Sequence, residues 1–129
     1  MWNDLSAIHA ASFTHPAPWS AHDLQSAAES PGVFLLREDQ GFLIGRAIAG
    51  EAELLTLATH PDARRRGIGA RLVVGFLVRA AETADTAFLE VAADNPGAIR
   101  LYTAHGFAEV ARRPRYYGGV DALVMRCPL

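Results

Sequence analysis

The spacing of apolar residues predicts four helices. The strongest pattern covers residues 67 to about 84, where apolar side chains recur at three- and four-residue intervals along one face: Ile68, Leu72, Val73, Phe76, Leu77 and Ala80. Weaker helical patterns cover three shorter stretches: residues 3–13, 21–29 and 96–105. The expected N-caps of these three helices are short polar residues: Asn3, Ser20 and Asn95. Gly106 is the expected stop of the last helix.

Short, mostly apolar runs predict the β-strands: residues 33–37, 41–49, 53–59, 87–92, 107–113 and 122–126. Short gaps separate the first three runs, which indicates an antiparallel meander. The last two runs are joined by Tyr116-Tyr117-Gly118-Gly119. The order ααβββαβαββ predicts a mixed α/β (α+β) fold in which helices cover one sheet. Because 129 residues fit one domain and no linker or repeat interrupts them, we expect a single domain over residues 1–129.

The composition fits a globular protein with a hydrophobic core. Half of the residues are apolar and the net charge is −2, which gives no support to a nucleic-acid or anionic-membrane binder. Cys127 is the single cysteine, so the sequence predicts neither a disulfide nor a zinc site, and no metal is expected. Without a signal-peptide pattern or an apolar stretch of about 20 residues, the expected location is the cytoplasm.

A basic turn with glycines lies between the third predicted strand and the long helix. Its sequence is His60-Pro61-Asp62-Ala63-Arg64-Arg65-Arg66-Gly67-Ile68-Gly69-Ala70. Glycines let a backbone approach an anion closely, the first N–H groups of the helix point at that anion, and arginines add charged hydrogen bonds. These residues suit a pyrophosphate, and a solvated basic turn is the alternative. No Lys-Ser/Thr follows the last glycine, so this is not a Walker A loop, and the dinucleotide fingerprint is absent.

The turn also carries a family motif. Arg64-x-x-Gly67-x-Gly69 resembles the Q/R-x-x-G-x-G/A motif with which the GCN5-related N-acetyltransferases (GNAT family) cradle the CoA pyrophosphate. A later segment resembles the second half of that fold: Leu89-Glu90-Val91-x-x-x-Asn95-x-x-Ala98-x-x-Leu101-Tyr102-x-x-x-Gly106-Phe107. Arg112-Arg113-x-x-Tyr116-Tyr117, followed by Asp121-Ala122, resembles the branch that acetylates the N-terminal alanine of a ribosomal protein. The resemblance covers residues 53–126 and implies the GNAT fold, a mostly antiparallel mixed sheet flanked by helices.

The resemblance implies acetyl-CoA as the acetyl donor. Three groups of residues match its binding segments: the strand Leu57, Ala58 and Thr59, whose backbone pairs with the pantetheine arm; the turn Arg64, Arg65, Arg66, Gly67, Ile68, Gly69 and Ala70; and Asn95, which hydrogen-bonds the cofactor. Each group also has a purely structural interpretation. The first is ordinary strand pairing, the second is a solvated turn, and the third is a helix cap.

Two residues are the candidate catalytic pair. By resemblance Tyr102 is the general acid, because a tyrosine with an ordinary pKa near 10 stays protonated and can donate to the departing thiolate. Glu90 lies between large apolar residues, which are expected to desolvate its carboxylate and raise its pKa toward that of a general base. The alternatives are amphipathic packing for Tyr102 and a solvent-facing side chain for Glu90. Glu53, on the central strand, is the rival base and an acceptor-side residue.

The acceptor side resembles the family less closely. Trp19 matches the loop between the first two helices, and Arg113, Tyr116 and Tyr117 match the loop between the last two strands; a core anchor and an exposed turn are the respective alternatives. The strand that precedes the first helix in the family is missing or reduced here. The loop after Tyr117 is short, and Val120 stands where the branch often has a glutamate. We expect a protein N-terminus as the acceptor, and a lysine side chain or a small-molecule amine are the alternative acceptors. A non-catalytic CoA-binding module is the alternative to an enzyme. The expected oligomeric state is a monomer or weak dimer.

Overall fold

A computed structural model describes residues 1–12, 18–64 and 66–129 of the chain. The helices found there are α1 (Trp2–Ser12), α2 (Ala21–Ala28), α3 (Ile68–Ala81) and α4 (Pro96–Ala104). The strands are β1 (Val33–Glu38), β2 (Gly41–Ile48), β3 (Glu51–Thr59), β4 (Thr86–Ala92), β5 (Ala108–Tyr117) and β6 (Val120–Pro128). A short 3-10 turn, Pro61–Ala63, connects β3 to α3. None of the described helices is long and apolar enough to span a bilayer.

The strands form one six-stranded sheet in the order β1-β2-β3-β4-β6-β5. Neighbouring strands are antiparallel except for β3 and β4, which are parallel. This parallel pair is short and consists of Glu51↔Thr86, Ala52↔Ala87 and Glu53↔Phe88. The predicted mixed, mostly antiparallel sheet is therefore confirmed, and its one parallel contact is also its shortest ladder.

The sheet buries apolar side chains on both faces. One cluster packs α3 and α4 against the sheet and includes Leu72, Phe76, Leu89 and Tyr102. The other cluster packs α1 and α2 against the opposite face, around Phe42. The period-of-two alternation along each strand sends neighbouring residues to opposite clusters, which is why both faces can be covered.

The predicted helices are confirmed, with one cap placed differently. Ser20 caps α2 in a reciprocal box, because the Asp23 N–H donates to Ser20 Oγ at 3.0 Å and the Asp23 carboxylate accepts the Ser20 N–H. Asn3 does not act as the cap expected for α1, since the helix already includes Trp2. The expected end of that helix at Phe13 lies outside the described residues.

The last two strands are longer than expected. Tyr116 and Tyr117 belong to β5 instead of a loop, because Tyr117 pairs with Val120 and leaves only Gly118 and Gly119 in the turn. These two glycines have φ angles of 57° and 103°, and such positive angles are what a two-residue hairpin turn requires. As expected, no strand precedes α1 in the described part of the chain.

Candidate active site

Most of the predicted site residues meet where β3 and β4 separate. Beyond Glu53↔Phe88 these strands, both fully described, share no ladder pair. The space between them is a cleft of about 1040 Å³. Its lining includes most of the predicted residues: Glu53, Leu57, Ala58, Thr59, Arg64, Gly67, Ile68, Gly69, Ala70, Glu90, Asn95, Tyr102, Arg113, Tyr116 and Tyr117. The structure therefore brings the donor and catalytic candidates to one place.

The start of α3, the predicted anion cradle, lies at one end of this cleft. Gly67 is the N-cap, with a φ of 75° that glycine adopts readily, and it has no side chain to cover the N–H groups of the first turn. A Cβ on Gly69 would lie 3.2 Å from Leu101 Cδ2 and 4.0 Å from Thr59 Oγ1. Position 69 thus faces both α4 and β3, and only a very small side chain leaves the space beside the amides open.

The arginines near the cradle have different roles. Arg64 lines the cleft, whereas Arg66 is exposed and is not among the described residues that line it. Arg71 holds the turn in place, because its Nε donates to Glu38 Oε1 at 2.7 Å and its Nη1 donates to the Arg66 carbonyl at 3.0 Å. Arg65 lies outside the described residues.

A β-bulge lies in β3 beside the cleft. Leu55 is an extra residue in β3, between the ladder pairs Ile44↔Thr56 and Gly45↔Leu54. Such a bulge bends a strand and increases its twist. It also reverses which residues face each side of the sheet, so that Leu54 and Leu57 both contact the α3 cluster. The bulge lies two residues after Glu53, the last residue of β3 that pairs with β4.

The second half of β3 presents backbone groups to the cleft. The His60 N–H donates to the Gln40 carbonyl at 2.8 Å, on the β2 side. Because N–H and C=O of one trans peptide point in opposite directions, the Thr59 carbonyl points to the free edge. By the same alternation Leu57 directs its N–H and C=O to the cleft, whereas those of Ala58 face β2. An extended ligand could pair with alternate residues of this edge.

The helix α4 closes another side of the cleft. Asn95 is its N-cap, since the Ala98 N–H donates to Asn95 Oδ1 at 3.2 Å, so the cap interpretation is confirmed for a residue that also lines the cleft. Tyr102 packs edge-on against Phe107, with ring centroids 6.0 Å apart. Burial raises the pKa of Tyr102 above its ordinary value, so its hydroxyl remains protonated at neutral pH.

Glu90 reaches the cleft from the face of the sheet opposite α3. Its neighbours Leu89 and Val91 are buried in the α3 cluster, whereas the Glu90 side chain is 27% exposed and lies 3.1 Å from Arg113 Nη2. The Arg113 guanidinium in turn lies 4.9 Å from the centre of the Tyr116 ring. The expected desolvated surroundings are therefore not found, because strand alternation turns the large apolar neighbours to the other face.

Glu53 lies on the same face as Glu90. It faces Arg46 across the β2–β3 ladder, and the two side chains form an ion pair of 2.6 Å. Glu53 and Glu90 also line a second concavity of about 570 Å³, whose apolar wall includes Ile48 and Phe88. The two carboxylates thus stand between the donor-side cleft and a pocket on the opposite face.

The aromatic candidates for the acceptor side are divided. Trp19 is partly buried in the cluster around Phe42 and is not among the described residues that line the cleft. Tyr116 and Tyr117 do line it, and their rings meet edge-on at 5.1 Å. The pKa of Tyr117 is raised, first by burial and then by the negative charge of Glu90. The core-anchor interpretation fits Trp19, and the tyrosines face the cleft.

Sequence reasoning missed a buried polar contact beside the site. His9 of α1 is fully buried, and the Trp19 N–H donates to its Nδ1 at 3.1 Å. The ring proton is therefore on Nε2, which donates to Thr56 Oγ1 at 2.9 Å. Burial lowers the pKa of His9 to about 4. The sequence signal for this contact is a polar residue beside Ile8 on the buried face of a helix. That signal does not indicate which residue His9 contacts.

No metal site is found within the described ranges, where no three His, Cys, Asp or Glu side chains are placed to hold an ion. Cys127 is buried, with its Sγ 3.4 Å from the Pro128 carbonyl, and burial raises the pKa of its thiol. A buried thiol of this kind is not an activated nucleophile.

The sheet opens between two parallel strands beside a helix start that has no side-chain cap. The model of the Acetyltransferase (GNAT) family matches residues 2–107, and the chain belongs to this family. It is an N-acetyltransferase.

Its relatives include enzymes with a known acceptor. The [ribosomal protein bS18]-alanine N-acetyltransferase of Escherichia coli strain K12 is 34% identical over 134 residues, 96% of this chain and 90% of its own. The Salmonella typhimurium enzyme of the same name is 34% identical over 125 residues, 89% of this chain and 84% of its own.

Solved structures have a similar fold. The ribosomal-protein-S18-alanine N-acetyltransferase from Escherichia coli has a TM-score of 0.86 at 28% identity, covering 98% of this chain and 86% of that one. The NatC complex bound to Gag peptide and CoA has a TM-score of 0.82 at 20% identity, covering 99% of this chain and 90% of that one, and shows the fold alone.

The lowered pKa of His9 predicts a loss of stability in mild acid. Between pH 6.5 and about 4 the unfolded chain binds a proton at His9 that the folded chain does not. The stabilisation is therefore complete above pH 6.5 and falls with pH, by about 1.4 kcal/mol per unit inside the window. Urea denaturation at several pH values should show this extra slope in the wild type and not in His9→Asn. Parallel curves for the two proteins would contradict the assignment.

Proposed function

We propose that the chain transfers an acetyl group from acetyl-CoA to a protein N-terminal amine, and specifically to the N-terminal alanine of a ribosomal protein. One observation carries the donor part of this proposal. The separation of β3 and β4 beside the start of α3 combines a free strand edge and an anion cradle in one cleft. Acetyl-CoA has the two matching parts, an extended amide-containing arm and a diphosphate.

The cleft residues fit this donor. The first amides of α3 after Gly67 would hold the diphosphate, with Arg64 adding positive charge. The free edge of β3 at Leu57 and Thr59 would pair with the arm as an added strand would. Bound in this way, acetyl-CoA supplies the activated acyl group at the point where the strands begin to separate.

Glu90 and Tyr102 are the proposed proton acceptor and donor. Both line the cleft, from β4 and from α4. Glu90 would take the proton of the attacking amine, directly or through water, once Arg113 has moved aside. Tyr102 stays protonated because its pKa is raised, so its hydroxyl can donate a hydrogen bond to the sulfur as negative charge develops there.

The acceptor proposal rests on the relatives and on the acceptor-side residues. The relatives with about a third identity are named for ribosomal-protein-alanine acetylation. Arg113, Tyr116 and Tyr117 lie on β5 and line the cleft with Glu90 and Glu53. Tyrosine hydroxyls there could hydrogen-bond the backbone of a peptide whose amine enters between the two carboxylates. A ribosomal acceptor would place the enzyme in the cytoplasm.

Filling the cradle should abolish donor binding. Gly69→Glu adds a large, negative side chain where a single Cβ already lies 3.2 Å from Leu101, so isothermal titration should show at least a hundredfold weaker acetyl-CoA binding. Two controls are matched to it. Gly69→Ala keeps the amides and adds one carbon, and Val74→Glu adds the same charge at an exposed position further along α3. Unchanged affinity in folded Gly69→Glu would contradict the proposed donor site.

Removing the proposed base should reduce turnover without removing donor binding. Glu90→Gln is expected to lower kcat by about 10²- to 10⁴-fold, because the amide cannot accept the proton. Glu53→Gln is the matched control, since it changes the neighbouring carboxylate in the same way, and it should keep most of the turnover. The reverse pattern, with a collapse in Glu53→Gln and near-normal turnover in Glu90→Gln, would make Glu53 the base.

The acceptor can be identified by mass spectrometry of proteomes from cells with and without the protein. We expect the gained acetyl groups on protein N-terminal amines, with a ribosomal protein that begins with alanine among them. Acetylation confined to lysine side chains would overturn the N-terminal assignment. Acetyl-CoA binding without acetylation of any peptide or amine in a broad panel would instead support a non-catalytic CoA-binding module.

A further inference from the structure

Three polar side chains of α1 contact either Trp19 or β3, and the last of them also lines the cleft. They are spaced three residues apart, so they lie along one side of the helix: Ser6, His9 and Ser12. Ser6 Oγ donates to the Trp19 carbonyl at 3.0 Å. His9 accepts from the Trp19 N–H, and both backbone groups of Trp19 are therefore bound by α1. This polar row ties the segment before α2 to α1.

The same row also contacts the unpaired half of β3. His9 Nε2 donates to Thr56 Oγ1 at 2.9 Å, directly after the bulge. Ser12 Oγ lies 2.8 Å from the Thr59 carbonyl, the group that points to the free edge at the end of the strand, and 2.7 Å from the Ile8 carbonyl of its own helix, so the two carbonyls share its single proton. Thr56, Thr59 and Ser12 all line the donor cleft. The contacts therefore fall at the two ends of the edge on which the donor would lie.

A strand that has lost one neighbour needs another support to hold its position. On the β2 side, β3 keeps its ladder up to Gly41↔Thr59, but the β4 side has none beyond Glu53. The two contacts from α1 replace part of that missing support, and His9 is buried, so its hydrogen bonds are shielded from competing water.

We propose that His9 and Ser12 are positioning residues that fix the free edge of β3 for the donor, acting through Thr56 and Thr59. This inference rests on the proposed acetyl-CoA site, and neither residue is a catalytic group. The link from His9 to Trp19 couples this edge to the segment that begins α2. Loss of the contacts should therefore weaken donor binding, even in a protein that remains folded.

The test measures acetyl-CoA affinity by isothermal titration in variants that each change one side chain of this contact network. Thr56→Val removes the hydroxyl that His9 binds, Ser12→Ala removes the bond to Thr59, and His9→Asn keeps an acceptor for Trp19 but cannot reach Thr56. Each should raise the Kd by about three- to tenfold, the usual range for one hydrogen bond. Thr56→Val and Ser12→Ala each remove a single hydroxyl group. These two variants therefore still test the proposal if His9→Asn fails to fold.

Two controls separate positioning from general stability. Thr56→Ser restores the hydroxyl and should return the Kd to within twofold of the wild type. Phe34→Leu disturbs the packing of Phe34 on Phe76, away from the row, and should lower the melting temperature without changing the Kd. His9→Asn combined with Thr56→Val should be no worse than the more severe single variant, because both remove the same contact.

The outcomes distinguish this inference from the proposed function. Unchanged Kd values in folded Thr56→Val and Ser12→Ala, beside normal binding by the wild type, would overturn the positioning role alone. No acetyl-CoA binding by the wild type would overturn the proposed function and the positioning role together. An additive effect in the double variant would overturn the direct link between His9 and Thr56.

Discussion

The divergence of two parallel strands is the constraint on which the rest of the site depends. β3 and β4 are paired over only three residue pairs, and then each continues without the other. Backbone N–H and C=O groups carry a cost when they are left without partners, so a sheet does not open unless something else supports it. In this chain the bulge at Leu55 follows the end of the ladder, and residues of α3 and α4 line the cleft. In the proposed function, the gap would give the donor both its binding edge and its access to the reacting groups.

The opening also connects the two faces of the sheet. Alternation along β4 buries Leu89 and Val91 against α3 and directs Glu90 to the other face, where Glu53 lies as well. In the proposed function, a donor between β3 and the start of α3 would meet an acceptor from the face of α1 and α2 at this gap. With the two ligands on opposite faces, the residues that bind the donor could stay the same while those on the acceptor face differ between acceptors.

Much of this arrangement could be predicted from residue order, but the pairwise geometry could not. The helical period in α3, the Ser20 and Asn95 caps and the glycine turn each depend on local chemistry, and the structure agrees with them. The extension of β5 through Tyr117 depends on its pairing with β6 across a two-residue turn, which the apolar pattern does not encode. The surroundings of Glu90 were wrongly inferred because adjacent residues in a strand face opposite sides. The contacts of His9 required knowing which strand lies beside α1.

The ion pairs at the gap fit a reaction in which a cation must arrive. Glu90 and Glu53 are each paired with an arginine, and all four side chains are partly exposed. Exposed ion pairs contribute only about 0–1 kcal/mol, so replacing the Arg113 guanidinium by an acceptor ammonium costs the fold little. The carboxylate then stays compensated while it exchanges one cation for another, and the new cation carries the proton that must be removed. A deeply buried carboxylate would lack this exchange, because admitting a charged amine would require desolvating it first. The partly exposed position of Glu90 is thus compatible with its proposed role as the proton acceptor.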